Sequence, residues 1–443
     1  MSNVFIDYSK NVGKIKIMHA VNNGPSVSRG DQTRGNQNAY KAAKIPYART
    51  HDAAFYNNYG GEHTIDVEAI FRNFDADVND PNSYDFACTD RYISEIFEFG
   101  TKPFYRLGSR IEHEVKKYHT LPPKDFQKYA EICEHIIRHF TEGWDNGFRY
   151  DLEYWEIWNE PDLDPDDSTN KKCWGGTAVQ FAEFYTVVST HLKKCFPHLK
   201  IGGPSLAWSR DWLKKFFEDT YKFNNNKRIP LDFISYHWYG CKPRELAEKG
   251  TEIVSVVKEA GYTNFESILN EWNYVKGWTD EFIYTIKSII SMKGAAFTAA
   301  CMLAAQNNPD IDMLMYYDAR PCGFNGLFDM YTLEPLKGYY PFVMFSRLYD
   351  IKEQNEATSD DLDVYVASAC NGEKCATMIS WFTDDDNEVK KTVKIKFNGR
   401  DMSGAKISLL DENHTMNDYY DSEIKDNEIT ISLKRNSVIL IEN

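Results

Sequence analysis

The sequence has no run of 18 apolar residues, so no membrane-spanning helix is expected. It has no basic cluster. With a formal net charge of −15, neither nucleic acid nor an anionic membrane surface fits as a partner. No GxGxxG follows an apolar run and no GxxxxGK[ST] occurs, which removes the nucleotide-binding motifs. No CxxC occurs among the nine cysteines. An odd, unpatterned set reads as reduced thiols. The N-terminus, MSNVFIDYSKNVGKIKIMHA, lacks a basic start followed by an apolar stretch and a cleavage site. A cytoplasmic location is the expectation, or a secreted protein whose signal has been removed.

Metal motifs are absent too. His135 and His139 lie four apart, but the intervening IIR lacks the glutamate of HExxH. DADVND begins like a calcium loop, yet its sixth position is Asp80 rather than Gly and its twelfth is Phe86 rather than Glu. No metal and no cofactor is expected.

What is present is an apolar content of 42% and an aromatic content of 15%. The first suffices for a core, and the second suits either a core or a cleft where rings stack on sugars. Eight short apolar runs recur in order: KIKIMHA, IPYARTHD, KPFYRLG, YWEIWNE, LKIGGPS, LDFISYHWY, SILNEWN and IDMLMYYD. Between them lie helical patterns such as DFQKYAEICEHIIRHF, with Phe126, Tyr129, Ala130, Cys133, Ile136, Ile137 and Phe140 on one face. Eight strand–helix alternations predict a (β/α)8 barrel over 13–348. After it, TVKIKF and EITISLK alternate with period two between turn residues. A small antiparallel β-sandwich is expected over 349–443, with a strand in 1–12 as a candidate to join it.

In such a barrel the chemistry sits at the C-terminal strand ends. Glu160 ends the fourth strand and Glu271 the seventh, 111 residues apart, and each follows an asparagine. Paired carboxylates facing one cleft are the minimal kit for cleaving a glycosidic bond. One protonates the leaving oxygen, and the other attacks the anomeric carbon or activates water. The plain alternative is that both are strand-end carboxylates capping helices or pairing with arginines. Two such motifs at strand ends that fit one barrel favour catalysis.

EIWNEPDL resembles the acid/base motif of glycoside hydrolase family 39, in clan A. SYHWY followed by LNEWN resembles that family's strand-six and strand-seven motifs. NSYDFACTDRYISEIFEFGTKPFYRLG and GLFDMYTLEPLKGYYPFVMFSRL extend the resemblance over most of the barrel. It implies Glu160 as acid/base, Glu271 as nucleophile, and retention through a covalent glycosyl-enzyme. Retention needs carboxyl groups about 5–5.5 Å apart, against roughly 6.5–9.5 Å for inversion. The Glu271 charge is expected to raise the Glu160 pKa.

The resemblance also implies a supporting shell. Asn159 matches the residue that bonds the sugar 2-OH, Tyr239 would bond the nucleophile, and His237 would orient the acid or bind sugar. Arg49 and His51 share a face of strand two. Arg49 would keep Glu271 ionised, or be buried against Glu156, a structural glutamate one layer deeper. His51 would read a hydroxyl. Trp174 is the candidate stacking platform, whereas alternation points Trp238 and Trp272 away from the cleft. On strand eight, Tyr316 and Tyr317 stand where the clan often has tryptophan. Asp318 and Arg320 would read hydroxyls or pair with each other.

The expected activity is therefore that of a retaining, exo-acting, β-xylosidase-like hydrolase of an oligosaccharide or small glycoside. Transglycosylation, arabinosidase, glucosidase or galactosidase activity, and a non-catalytic sugar-binding barrel are the alternatives. An iduronidase type would need a basic reader, for which Arg320 or Lys276 is available. A homo-oligomer is compatible with the composition.

Overall fold

A computed structural model describes residues 1–29, 34–56, 60–418 and 423–443. Eight parallel strands close into a barrel: β1 (Ile17–Asn22), β2 (Tyr47–Arg49), β3 (Lys102–Leu107), β4 (Tyr154–Ile157), β5 (Lys200–Leu206), β6 (Phe233–Gly240), β7 (Glu266–Tyr274) and β8 (Met313–Tyr316). They follow one another around the barrel in chain order, and each overlaps one of the eight apolar runs. The helix Phe126–Thr141 lies between β3 and β4. Asp125 caps it by accepting from the amides of Gln127 and Lys128, and Tyr129, Cys133, Ile136, Ile137 and Phe140 are buried. No single helix among the described residues is long and apolar enough to cross a membrane.

The barrel interior is layered by the two-residue strand period. Tyr47, Phe104, Tyr154, Phe233, Ile268 and Met313 fill the lower end as an apolar plug. Two residues on, Arg49, Glu156 and Ser235 form a buried polar layer. Two further on, His51 and His237 reach the rim.

The remaining strands form one nine-stranded sheet. Its order is Thr415–Asp418, Lys406–Leu410, Ser437–Glu442, Cys375–Trp381, Val364–Cys370, Glu353–Ser359, Ser2–Lys14, Lys390–Asn398 and Glu428–Lys434. Every neighbouring pair is antiparallel except Ser2–Lys14 with Lys390–Asn398, which run parallel. The sheet curls so that Val4, Ile6, Ile395 and Ile431 from one half share a core with Ile379, Trp381, Ile439 and Ile441 from the other. Its opposite face, through Ala367, Ala376, Met378 and Leu440, joins the barrel's own core.

The cysteines differ from expectation. Cys370 and Cys375 oppose each other across a hairpin and form a disulfide, while the other seven are free. Counting motifs misses this pair because its geometry comes from the hairpin register, not from spacing. The thiol argument for a reducing compartment loses its premise.

The helix Met292–Gln306, MKGAAFTAACMLAAQ, is buried almost all round between barrel and sheet. Its many alanines permit the close approach on both sides. Phe297 packs its ring against Trp238, Trp272 and Tyr274 of the barrel and Phe382 of the sheet. Nearby, Asp384 accepts hydrogen bonds from Tyr274 (2.6 Å) and Lys293 (3.2 Å) and pairs with Lys276. The two parts therefore share an apolar seam closed by an ion-pair cluster beside the end of β7. Phe297→Ala is expected to lower unfolding stability by about 3–5 kcal/mol, from lost burial and the cavity left behind. Denaturant unfolding of the variant against the parent measures it.

Candidate active site

Glu160 and Glu271 come together at the C-terminal rim. A carboxylate oxygen of each, with a ring nitrogen of His237, lie within 4.8 Å of one another. Neither glutamate reaches this place by simple alternation. After Ile157 the chain leaves strand geometry. Trp158 and Glu160 both adopt left-handed backbone, with φ of 73° and 46°. That conformation is costly for a bulky residue and is held by its surroundings. It turns the Trp158 ring outward onto Tyr129, Trp174 and Phe184, while Asn159 and Glu160 enter the cleft. On β7 the register against β6 shifts between Leu269 and Glu271. The extra residue lets two consecutive side chains face inward. Asn270 donates to Glu156 (2.5 Å), and Glu271 accepts from Arg49 (3.0 Å).

Arg49 is fully buried and uses all five of its N–H donors. Nε donates to Glu156 (2.7 Å). Nη1 donates to Asn22 (3.2 Å) and Glu271 (3.0 Å), and Nη2 to Asn159 (2.6 Å) and Ser205 (2.8 Å). One guanidinium thus contacts both Glu156 and Glu271. Glu271 also accepts from the Tyr239 hydroxyl at 2.5 Å.

Both rim glutamates have raised pKa values. Glu160 is pushed up to about 8, first by burial and then by the carboxylate of Asp162. The expectation had placed the cause in the Glu271 charge; burial is the larger effect. Glu271 is raised by burial, while Arg49 and the Tyr239 hydroxyl pull it back. The proton at neutral pH therefore belongs on Glu160. His237 bonds Glu160 through Nδ1 (2.8 Å) and Ser205 through Nε2 (2.7 Å). Burial lowers its pKa to about 4, so it is a neutral imidazole.

The other expected residues separate into two groups. Asn159 spends its Oδ1 on Arg49, which leaves its amide nitrogen for the cleft. His51 is buried at the rim, and its Nδ1 has no partner among the described residues. Tyr317 lies at the cleft wall, with its ring 6.4 Å from Tyr239 and 6.1 Å from Phe324, and its hydroxyl donating to Asp52 (3.4 Å). Tyr316 instead packs against Trp272 and Phe342. Trp238 and Trp272 turn to the helix side, against Phe297.

Trp174 is not a stacking platform. It is 3% exposed, locked among Trp158, Phe181 and Phe184, and donates its Nε1 proton to Thr177. Its neighbour Cys173 is the one that reaches the site, with Sγ 3.8 Å from Glu160. Asp318 and Arg320 pair with each other at 3.5 Å. Asp318 is wholly buried, accepts from Asn23 and the Arg320 amide, and has its pKa raised by burial to about 6. Arg320 donates to the backbone oxygen of Asp52 (2.6 Å). Both brace the strand-eight rim. Lys276, the other candidate uronate reader, is bound to Asp384.

Three residues escaped the sequence reading. Asp162 accepts from the amides of Ala207, Trp208 and Ser209, fixing the exit of β5 beside Glu160. Asn273 donates to the carbonyls of Tyr317 and Phe324, tying β7 to the loop after β8. Trp278, 57% exposed, packs edge-on against Tyr239 at 5.3 Å and adds an open aromatic face to the rim. Asp162, two residues past Glu160 in NEPD, had a sequence signal. The other two depend on how loops close.

Residues 14–282, more than half the chain, match the model of glycosyl hydrolases family 39. The chain belongs to that family. A β-xylosidase of Geobacillus stearothermophilus is 23% identical over 241 residues, 47% of this chain and 44% of that protein. One of Caldicellulosiruptor saccharolyticus is 27% identical over 202 residues, 43% of this chain and 37% of that protein. The chain thus spans less than half the length of these curated relatives. Among solved structures, a glucosidase from Croceicoccus marinus superposes with a TM-score of 0.78 at 20% identity, covering 100% of this chain and 98% of the other. A monomeric β-xylosidase from Caulobacter crescentus gives 0.70 at 15% identity, covering 100% and 99%. At these identities the likeness is one of fold.

Tyr239→Phe removes a donor that favours ionised Glu271. The acidic limb of the kcat/KM profile is therefore expected to move to higher pH. A pH–rate series on the variant and the parent reads the shift.

Proposed function

We propose that this family 39 protein is a retaining, exo-acting glycosidase that removes a β-xylose-type sugar from an oligosaccharide or small glycoside. The carrying observation is the close approach of Glu160, His237 and Glu271 within 4.8 Å, with Glu271 held by Arg49 and Tyr239. A carboxylate pair this close supports direct attack by a carboxylate over the wider spacing of an inverting pair. The names of the curated relatives support the sugar type.

In the first step, Glu271 attacks the anomeric carbon while protonated Glu160 delivers its proton to the glycosidic oxygen. Attack discharges Glu271. Repulsion within the pair ends, and the pKa of Glu160 falls. In the second step, Glu160 takes a proton from water, which displaces Glu271 and regenerates both groups. The Asn159 amide and the unpartnered His51 nitrogen are placed to bond sugar hydroxyls. Such contacts strengthen in the transition state. Trp278 and Tyr317 supply the apolar wall.

Hydrolysis of poor leaving groups is expected to fall as pH rises through about 8, where Glu160 loses its proton. Glu160→Ala is expected to abolish it; activated aryl glycosides still form the glycosyl-enzyme, and azide restores its slow turnover by releasing a β-glycosyl azide. NMR of the first-formed product is expected to show the retained anomer. An inverted product, or no response to azide, contradicts the assignment. An added acceptor sugar separates transfer from hydrolysis. Absence of any fluoro-sugar adduct on Glu271 would favour a non-catalytic barrel.

A further inference from the structure

Outside the barrel, two neighbouring helices bring a nitrogen, an oxygen and a sulfur ligand together. Glu134 lies on the helix Phe126–Thr141, and His191 and Cys195 lie one turn apart on the helix Ala178–Cys195. One ligand atom of each falls within 4.8 Å of the others. Glu134 Oε2 is 2.6 Å from His191 Nε2, and Cys195 Sγ is 3.8 Å from that same nitrogen. All three are half-buried, so an ion has an entry path.

We propose that Glu134, His191 and Cys195 form a binding site for a zinc-type divalent cation that staples these two helices. The donor set suits a borderline-soft ion that takes thiolate, imidazole and carboxylate together. Metal–ligand bonds of about 2.0–2.3 Å put tetrahedral ligand atoms roughly 3.3–3.6 Å apart. The 2.6 Å contact opens slightly and the 3.8 Å contact closes slightly, both by side-chain movement alone. Water fills the fourth position. Binding moves the Cys195 proton to solvent and the ring proton of His191 from Nε2 to Nδ1.

The outer partners are in place. Arg138 donates to Glu134 Oε1 (2.8 Å), which aims Oε2 at the site. The Gln127 amide lies 3.1 Å from His191 Nδ1, and by turning over it accepts the relocated ring proton, giving up a 3.2 Å contact with Glu131. Arg138 is a nearby cation, but it is shared with Glu142 and lies over the Phe196 ring. Cys195 is the last residue of its helix, where the dipole favours positive charge. The adjacent histidines do not compete. His135 bonds the Glu131 carbonyl, and His139 spends both nitrogens on Asp90 and Trp144. The other such cluster among the described residues, Glu160–His237–Glu271, holds the buried Arg49 cation against it.

The test titrates the full-length protein with Zn2+ against a chromophoric chelator and with Co2+ by absorbance. It compares the parent with His191→Ala, Cys195→Ala and Gln127→Ala, each first checked for folding by circular dichroism. The expected result is one equivalent of Zn2+ per chain, a thiolate-to-cobalt absorption band, and hydrolysis unimpaired by the bound ion. His191→Ala and Cys195→Ala lose the equivalent, and Cys195→Ala loses the band. Gln127→Ala weakens affinity roughly 10- to 100-fold, the usual effect of an outer partner. Failure to bind one equivalent overturns the proposal. So does binding that survives Cys195→Ala, or binding that blocks hydrolysis and so belongs to the rim carboxylates.

Discussion

A fully buried guanidinium organises the catalytic end of this barrel. An unpaired charge at the Arg49 position would cost several kcal/mol. Five acceptors from β1, β2's neighbours across the barrel and the rim meet its five donors one for one: Asn22, Glu156, Asn159, Ser205 and Glu271. A lysine, with three donors and no planar fork, could not hold this set. Two consequences follow. Glu156 and Glu271 are tied to one cation, and the Asn159 carbonyl oxygen is occupied, so its amide faces the cleft. With Glu271 tied in this way, Glu160 keeps its proton. The asymmetry between two chemically identical side chains rests on direct bonds: Glu271 accepts from Arg49 and Tyr239, whereas Glu160 faces the neutral His237.

Much of this arrangement was legible in the sequence because regular strands carry it. Eight apolar runs in alternation with helices dictate the barrel, and period two stacks Tyr47, Arg49 and His51 as plug, polar layer and rim. The NE and NEW motifs mark the two glutamates. Departures from regularity were not legible. The left-handed residues Trp158 and Glu160 and the register shift before Glu271 put side chains where alternation alone would not. Trp174 shows the limit. An aromatic in a loop after an active-site strand has the composition of a sugar platform, but its burial depends on the helix beneath it. The exposed aromatic at the rim is Trp278, on a different loop.

The second sheet also bears on the site. Asp384, just past its strand Cys375–Trp381, binds Tyr274 and Lys276, three and five residues beyond Glu271, and Phe297 packs on aromatic rings of both parts. Movement between the two parts would pull on the end of β7. The N-terminal strand strengthens the union, since Ser2–Lys14 sits inside the second sheet before the chain enters β1. Cys370–Cys375 closes a hairpin of that same sheet.

The central claim is that Glu160, not Glu271, carries the proton of the rim pair. Carboxyl 13C NMR of glutamate-labelled protein, with resonances assigned through Glu160→Gln and Glu271→Gln, measures it directly. The account predicts that Glu160 titrates near pH 8 and Glu271 at lower pH, so that at pH 6 Glu160 is still protonated. The reverse order, or both ionised at pH 6, would contradict it.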